Sequence, residues 1–231
     1  MSIKEKKFSD IIISLLKTAG ILIWAVLPMT FITTAEMYQN TTPTFLKWTI
    51  SIGIILFTLI SILFFFNYYK KIGDLKLKTI QLKDFRISIG LFVLLKIVTI
   101  IGTSLNEYFY GNQMTSNDAS LQISESLITF PLYLIIFNLI ISLGAPILEE
   151  LAFRGIFTNI WFEKQRKLLP AILTSFLFSL AHGYDNNITF LMYFISGMIY
   201  FYAYCRRWNI KDSILLHILN NGFIVVLNFF I

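Results

Sequence analysis

Two adjacent carboxylates and an arginine, Glu149-Glu150-Leu151-Ala152-Phe153-Arg154-Gly155, interrupt a long apolar run. From Leu127 to Leu148 that run has no charged residue. Charge inside such a run is expensive, so it usually turns inward and has a task. On a helix, Glu150 and Arg154 are four residues apart and share a face, where they pair. Glu149 points about 100° away and is free for another partner. Two histidines, the only ones in the chain, also lie in apolar stretches: His182 closes Phe178-Ser179-Leu180-Ala181-His182, and His217 opens a run to Asn220-Asn221. His217 and Asn221 are four apart and share a face. A carboxylate, two imidazoles and an amide meeting in a low-dielectric interior suit the activation of water. The carboxylate or one histidine accepts the proton. The other histidine and the amide donate to a developing oxyanion.

Each piece also has a plainer reading. Glu150–Arg154 reads as a structural ion pair with Glu149 snorkelling to the interface, and a lone histidine on an apolar face is most often a satisfied core residue. A third chemistry uses the same atoms: Glu149, His182 and His217 as ligands of a zinc ion with water in the fourth position. The spacing is not that of H-E-x-x-H, so the sequence does not require a metal. The single cysteine, Cys205, rules out an intramolecular disulfide and a cysteine metal cluster.

The elements that must position these groups are membrane helices. Of 231 residues, 56% are hydrophobic and 14% charged, against about 25% charged in soluble domains. Several runs reach the roughly 20 residues that cross a bilayer. The expectation is an all-α, polytopic membrane helical bundle of about seven to eight transmembrane helices. The net charge of +6 points to loop charges that set orientation, not to nucleic acid. The N-terminal lysines and the apolar stretch after them read as an uncleaved first span, about 11–32, rather than a signal peptide. Further spans are expected at about 45–69 and 87–105, separated by the basic segment 70–86, which reads as lying along the anionic leaflet. Residues 106–126 read as an external loop. The stretch 127–162 is long for one span, and Gly144 and Pro146 predict a kink, or a break giving an eighth span. A short helix over 168–182, a span at 188–205 and a last helix, capped by Asp212 or Ser213 and running to 231, complete the chain. Lys96 lies within the third span with no motif around it. Fifteen of the nineteen basic residues fall in the N-terminus and three alternate connections, so the N-terminus is expected in the cytoplasm. The basic turn centred near Gln165 folds its flanking helices into a hairpin. At about 1.5 Å per residue, Glu149 and His182 then sit at similar depth.

In that order, Glu149-Glu150-x-x-x-Arg154, Phe178-x-x-x-His182 and His217-x-x-x-Asn221 resemble the three motifs of the CPBP family, the CAAX-processing and bacteriocin-processing (Abi) intramembrane proteases. The resemblance covers roughly 127–231, an expected catalytic helical core, while 1–126 match only as N-terminal membrane helices of the same membrane domain. It implies that Glu149 and His182 activate water, that His217 and Asn221 form the oxyanion site, and that Glu150, Arg154 and Phe178 support them. It further implies a bacterial, multi-pass cell-membrane protease, glutamate-dependent without a metal cofactor (zinc being the alternative), acting on a peptide or membrane-protein substrate within the lipid bilayer. Bacteriocin self-immunity and signalling-peptide maturation are the implied tasks. A non-proteolytic membrane binding or scaffold protein is the contrasting class. A small transporter is disfavoured, because the halves show no inverted repeat.

Overall fold

The computed structural model describes residues 7–73, 77–163 and 166–228. The described chain is helical throughout its elements: α1 (Phe8–Met37), α2 (Thr44–Gly73), α3 (Leu82–Tyr110), α4 (Ser116–Leu127), α5 (Pro131–Trp161), α6 (Leu168–Ala181), α7 (Asn187–Arg207) and α8 (Ile210–Asn228). Six of these, all but α4 and α6, are long and apolar enough to cross a membrane. With the shorter apolar α6, this is the expected all-α polytopic bundle. Leu56, Leu63 and Ile100 are among many large apolar side chains left exposed on α2 and α3; in a bilayer these faces meet lipid.

Half of the apolar window of α7 and 44% of that of α5 is buried, against 17–28% for the other spanning helices. α5 and α7 are therefore the interior, and the rest wrap them. Polar ties fix the wrapping. The indole of Trp24 on α1 donates to Ser61 on α2 at 2.8 Å, and that of Trp161 on α5 donates to Thr18 on α1 at 2.9 Å. Such interhelical bonds average about 0.6 kcal/mol in a membrane, so they set register more than they supply stability. Helix starts follow local chemistry. Gln81 and Asp84 form a capping box on α3, Thr115 accepts the amide of Asp118 on α4, and Asn186 accepts two amides of α7.

Several connections differ from the sequence reading. α5 does not break at Pro146, so no eighth span forms; the helix passes through the Gly144–Pro146 region by widening into a π-helical turn over Ile140–Gly144. The stretch 106–126 is not a plain loop: α3 runs on to Tyr110, and α4 follows with Thr115 as its cap. The basic segment 70–86 is mostly the end of α2 and the start of α3, and does not form one leaflet-lying element. Its residues 74–76, like Lys4, Lys6, Lys164 and Gln165, lie outside the described residues. The last helix begins at Ile210, so Asp212 lies inside its first turn and pairs with Arg206 and Arg207. His182 sits just past the end of α6 as its cap rather than inside the helix.

Charge divides the bundle into two ends. Arg206 and Arg207 bind Asp84 and Asp212, and Arg207 donates to the carbonyl of Thr79. Lys70 and Lys71 end α2 near the start of the same connection. At the other end, Ser116 donates its amide to Asp185 and Asn138 donates to Glu125, joining α4 to the α6–α7 turn and to α5.

Candidate active site

Glu150 is fully buried on α5, and so is Arg154 one turn on. Nη1 of Arg154 donates to Oε1 of Glu150 at 3.0 Å, as their spacing predicts, and Nη2 donates to the backbone carbonyl of Gly197 on α7, also at 3.0 Å. The guanidinium lies 4.5 Å from the ring centroid of Phe178. Arg154 belongs to a second π-helical stretch, Leu151–Phe157, a form that recurs at functional sites.

Oε1 of Glu150 also accepts from Nδ1 of His217 on α8, at 3.0 Å. A carboxylate oxygen can only accept, so Nδ1 carries the hydrogen and Nε2 is left to face Glu149, 3.9 Å from its Oε2. His182 is placed the same way. Its Nδ1 lies 2.8 Å from the carbonyl of Phe178, which the helix end frees, and its Nε2 lies 4.0 Å from the same Oε2 of Glu149. Tyr200 stacks on His217 with centroids 4.3 Å apart, and Tyr193 stacks on His182 at 4.7 Å. Glu149, about 20% exposed at its side chain, thus presents one oxygen to two imidazole nitrogens at nearly equal distance. That oxygen makes no hydrogen bond within the protein. A water bonded at about 2.8 Å to two such atoms holds them roughly 4 Å apart.

The same atoms are a chemically sensible zinc set. Ligands at about 2.1 Å in a tetrahedron lie roughly 3.4 Å apart, closer than these are. Among the described residues, no three His, Cys, Asp or Glu side chains are gathered tightly enough to hold an ion. At 3.9 and 4.0 Å, Oε2 of Glu149 stands farther from the two Nε2 atoms than the ligands of a bound zinc stand from one another.

Asn221 is positioned from α5. In the π-helical turn the amide of Ala145 bonds to the carbonyl of Ile140; the next such bond would run from residue 146 to Ile141, and Pro146 has no N–H to give. Nδ2 of Asn221 donates to the carbonyl of Ile141 instead, at 3.2 Å, while its Oδ1 accepts from Asn220 at 3.1 Å. One N–H of the Asn221 amide remains for another acceptor. Asn221, His217 and His182 line one cavity of about 360 Å³, walled also by Phe178, by Lys96 of α3 and by α4. A larger depression between α1 and α2, about 470 Å³, is apolar and carries no carboxylate, imidazole or cation.

The structure therefore brings together every residue singled out from the sequence: Glu149, Glu150, Arg154, Phe178, His182, His217 and Asn221. Sequence reasoning missed Gly197, Tyr193 and Tyr200, and gave Lys96 no partner. Gly197 had a signal, being an isolated glycine in a helical pattern: a Cβ there would lie 2.9 Å from the backbone Cα of Ser175.

Fold and site define a class: a polytopic, all-α membrane protein in which two imidazoles and an amide line one cavity inside the bundle and a carboxylate oxygen lies within about 4 Å of both imidazoles. Residues 131–223 match a family model described as type II CAAX prenyl endopeptidase Rce1-like. The chain is 30% identical over 142 residues to the membrane-embedded CAAX protease MroQ of Staphylococcus aureus, covering 58% of this chain and 54% of that protein. It is 26% identical over 140 residues to the putative membrane peptidase YdiL of Bacillus subtilis, covering 60% and 53%. The chain thus spans about half the length of these two relatives. To the UPF0177 protein YaiF of Lactococcus lactis subsp. lactis it is 32% identical over 190 residues, 82% of this chain and 81% of that one. No solved structure matches it. The chain belongs to the CPBP family.

Proposed function

We propose that the protein is an intramembrane endopeptidase that cleaves peptides or membrane proteins with a water activated by Glu149 and His182. The observation that carries this reading is the placement of Oε2 of Glu149 3.9 and 4.0 Å from the Nε2 atoms of two histidines. A water held there gives a proton to Glu149 while its oxygen attacks the scissile carbonyl carbon. The carbonyl oxygen becomes an oxyanion and accepts from Nε2 of a protonated His217 and from the spare N–H of Asn221. Collapse of the tetrahedral adduct breaks the C–N bond, and the proton taken from water passes to the leaving amine. His182 orients the water, and Glu150 with Arg154 orients His217.

The proposed reaction runs without a metal; in the alternative, Glu149, His182 and His217 would hold zinc, and chelation separates the two. The proposed orientation puts the N-terminus and the basic end of the bundle in the cytoplasm, the side that attracts Lys and Arg. Bacteriocin self-immunity or maturation of secreted signalling peptides is the proposed task. Purified protein incubated with candidate peptides, followed by mass spectrometry beside a Glu149→Gln control, tests the activity. Fragments that the wild type yields and the control does not support it; identical outcomes with a functional Glu149→Gln protein in cells favour a binding or scaffold role.

A further inference from the structure

Lys96 is the fifteenth of the 29 residues of α3, so it starts from the middle of a span. A lysine at that depth is costly unless it is paired or faces a polar cavity. Lys96 faces the cavity that His182, His217 and Asn221 line. Its Nζ donates to the backbone carbonyl of Asn220 at 3.2 Å, and the rings of Phe92 and Phe223 flank it with centroids at 5.3 and 5.2 Å. These contacts aim the ammonium but do not neutralise it. Among the described residues no carboxylate lies within ion-pair distance, and Asp118, on the α4 wall, acts on it only from farther away. The contrast with Arg154 is direct: that buried cation has Glu150 at 3.0 Å.

We infer that Lys96 is the receptor for a carboxylate of the peptide substrate. An ammonium has three donors, and the Asn220 carbonyl takes one. The flanking rings exclude water on two sides, which strengthens an ion pair. Asn220 precedes Asn221, so a carboxylate on Lys96 sits beside the proposed oxyanion site rather than on it. It then fixes which bond of an entering peptide reaches Glu149. An acidic side chain and a free C-terminus carry the same chemistry. This inference rests on the peptidase reading.

The test is cleavage-site profiling with the full-length protein in detergent. Two peptide libraries are used, one with free C-termini and one amidated throughout. Wild-type cuts should be enriched for a carboxylate at a fixed distance from the scissile bond. Enrichment in both libraries assigns the group to Asp or Glu side chains, and enrichment in the free-acid library alone assigns it to the C-terminus. Lys96→Gln should abolish the enrichment and raise KM for carboxylate-bearing peptides about tenfold or more, with the loss falling on KM rather than kcat. Lys96→Arg should retain the preference, and serves if Lys96→Gln folds poorly. Lys96→Glu should turn the preference toward Lys and Arg. Cuts without enrichment, or an unchanged KM in Lys96→Gln, overturn the assignment. If the wild type cuts nothing, the peptidase reading fails separately. Fluorescence anisotropy of a labelled Glu-containing peptide with a free C-terminus and its Gln-containing, amidated twin then decides, and equal binding of the two by wild type overturns the site.

Discussion

Nδ2 of Asn221 donates at 3.2 Å to the carbonyl of Ile141, the carbonyl that Pro146 leaves without an amide partner. A proline that looks, in sequence, like a helix breaker instead orients a side chain on another helix. Pro146→Ala restores an N–H at that turn and releases Asn221. Asn221→Ala should lower kcat by about 10²–10³-fold, the cost of one oxyanion donor. Pro146→Ala should cost less, and the double variant should be no slower than Asn221→Ala alone. Multiplying losses in that cycle would detach Pro146 from Asn221.

Arg154 bridges α5 to α7 through Glu150 and the carbonyl of Gly197. Removing one partner of a buried pair costs about 3–5 kcal/mol, so Arg154→Ala should lower melting temperature and folded yield as well as activity. Lysine cannot reproduce a two-pronged contact, so Arg154→Lys should restore little of either. An unchanged melting temperature with activity gone would make Arg154 a substrate contact.

Gly197 should tolerate no side chain. A Cβ there meets the backbone of Ser175 at 2.9 Å, and backbone yields only if α7 moves off α6. Overpacking of this kind costs about 1–3 kcal/mol, and the shift also draws the Gly197 carbonyl from Arg154. Thermal unfolding of Gly197→Ala checks this, and a melting temperature equal to wild type would contradict it.

How much of this could be read beforehand differs by residue. Glu150–Arg154 and His217–Asn221 follow from four-residue spacing, a property of any helix. The convergence of Glu149 with His182 follows from equal chain length to a shared turn. Lys96 could not be placed, because its partner Asn220 is 124 residues away and no periodicity links them. α4 was lost because its polar composition, with Gly111 before it, reads as loop; only the Thr115 cap betrays a helix. The π-helical turns were also hidden, since Gly144 and Pro146 signal a disturbance without saying whether the helix breaks or widens.

Topology can be tested with engineered cysteines, since the native Cys205 is buried. In intact cells an impermeant maleimide should label Glu107→Cys, at the acidic end, and should spare Lys71→Cys, at the basic end, until the membrane is opened. The reverse pattern would invert the proposed orientation.

A chelator at neutral pH should leave cleavage unaffected if Glu149 works on water without a metal. Inhibition that added zinc reverses would recast Glu149, His182 and His217 as ligands.

The central claim is that Glu149 is the base, and Glu149→Gln isolates it, because the amide keeps the shape of the side chain but cannot take the proton. The measurement is the single-turnover cleavage rate of purified Glu149→Gln beside wild type, on whichever peptide the wild type cuts. The account predicts a fall of about 10²–10⁴-fold with folded yield unchanged, the same for His182→Ala, and a double variant little slower than either. A Glu149→Gln protein that cleaves at the wild-type rate would contradict it.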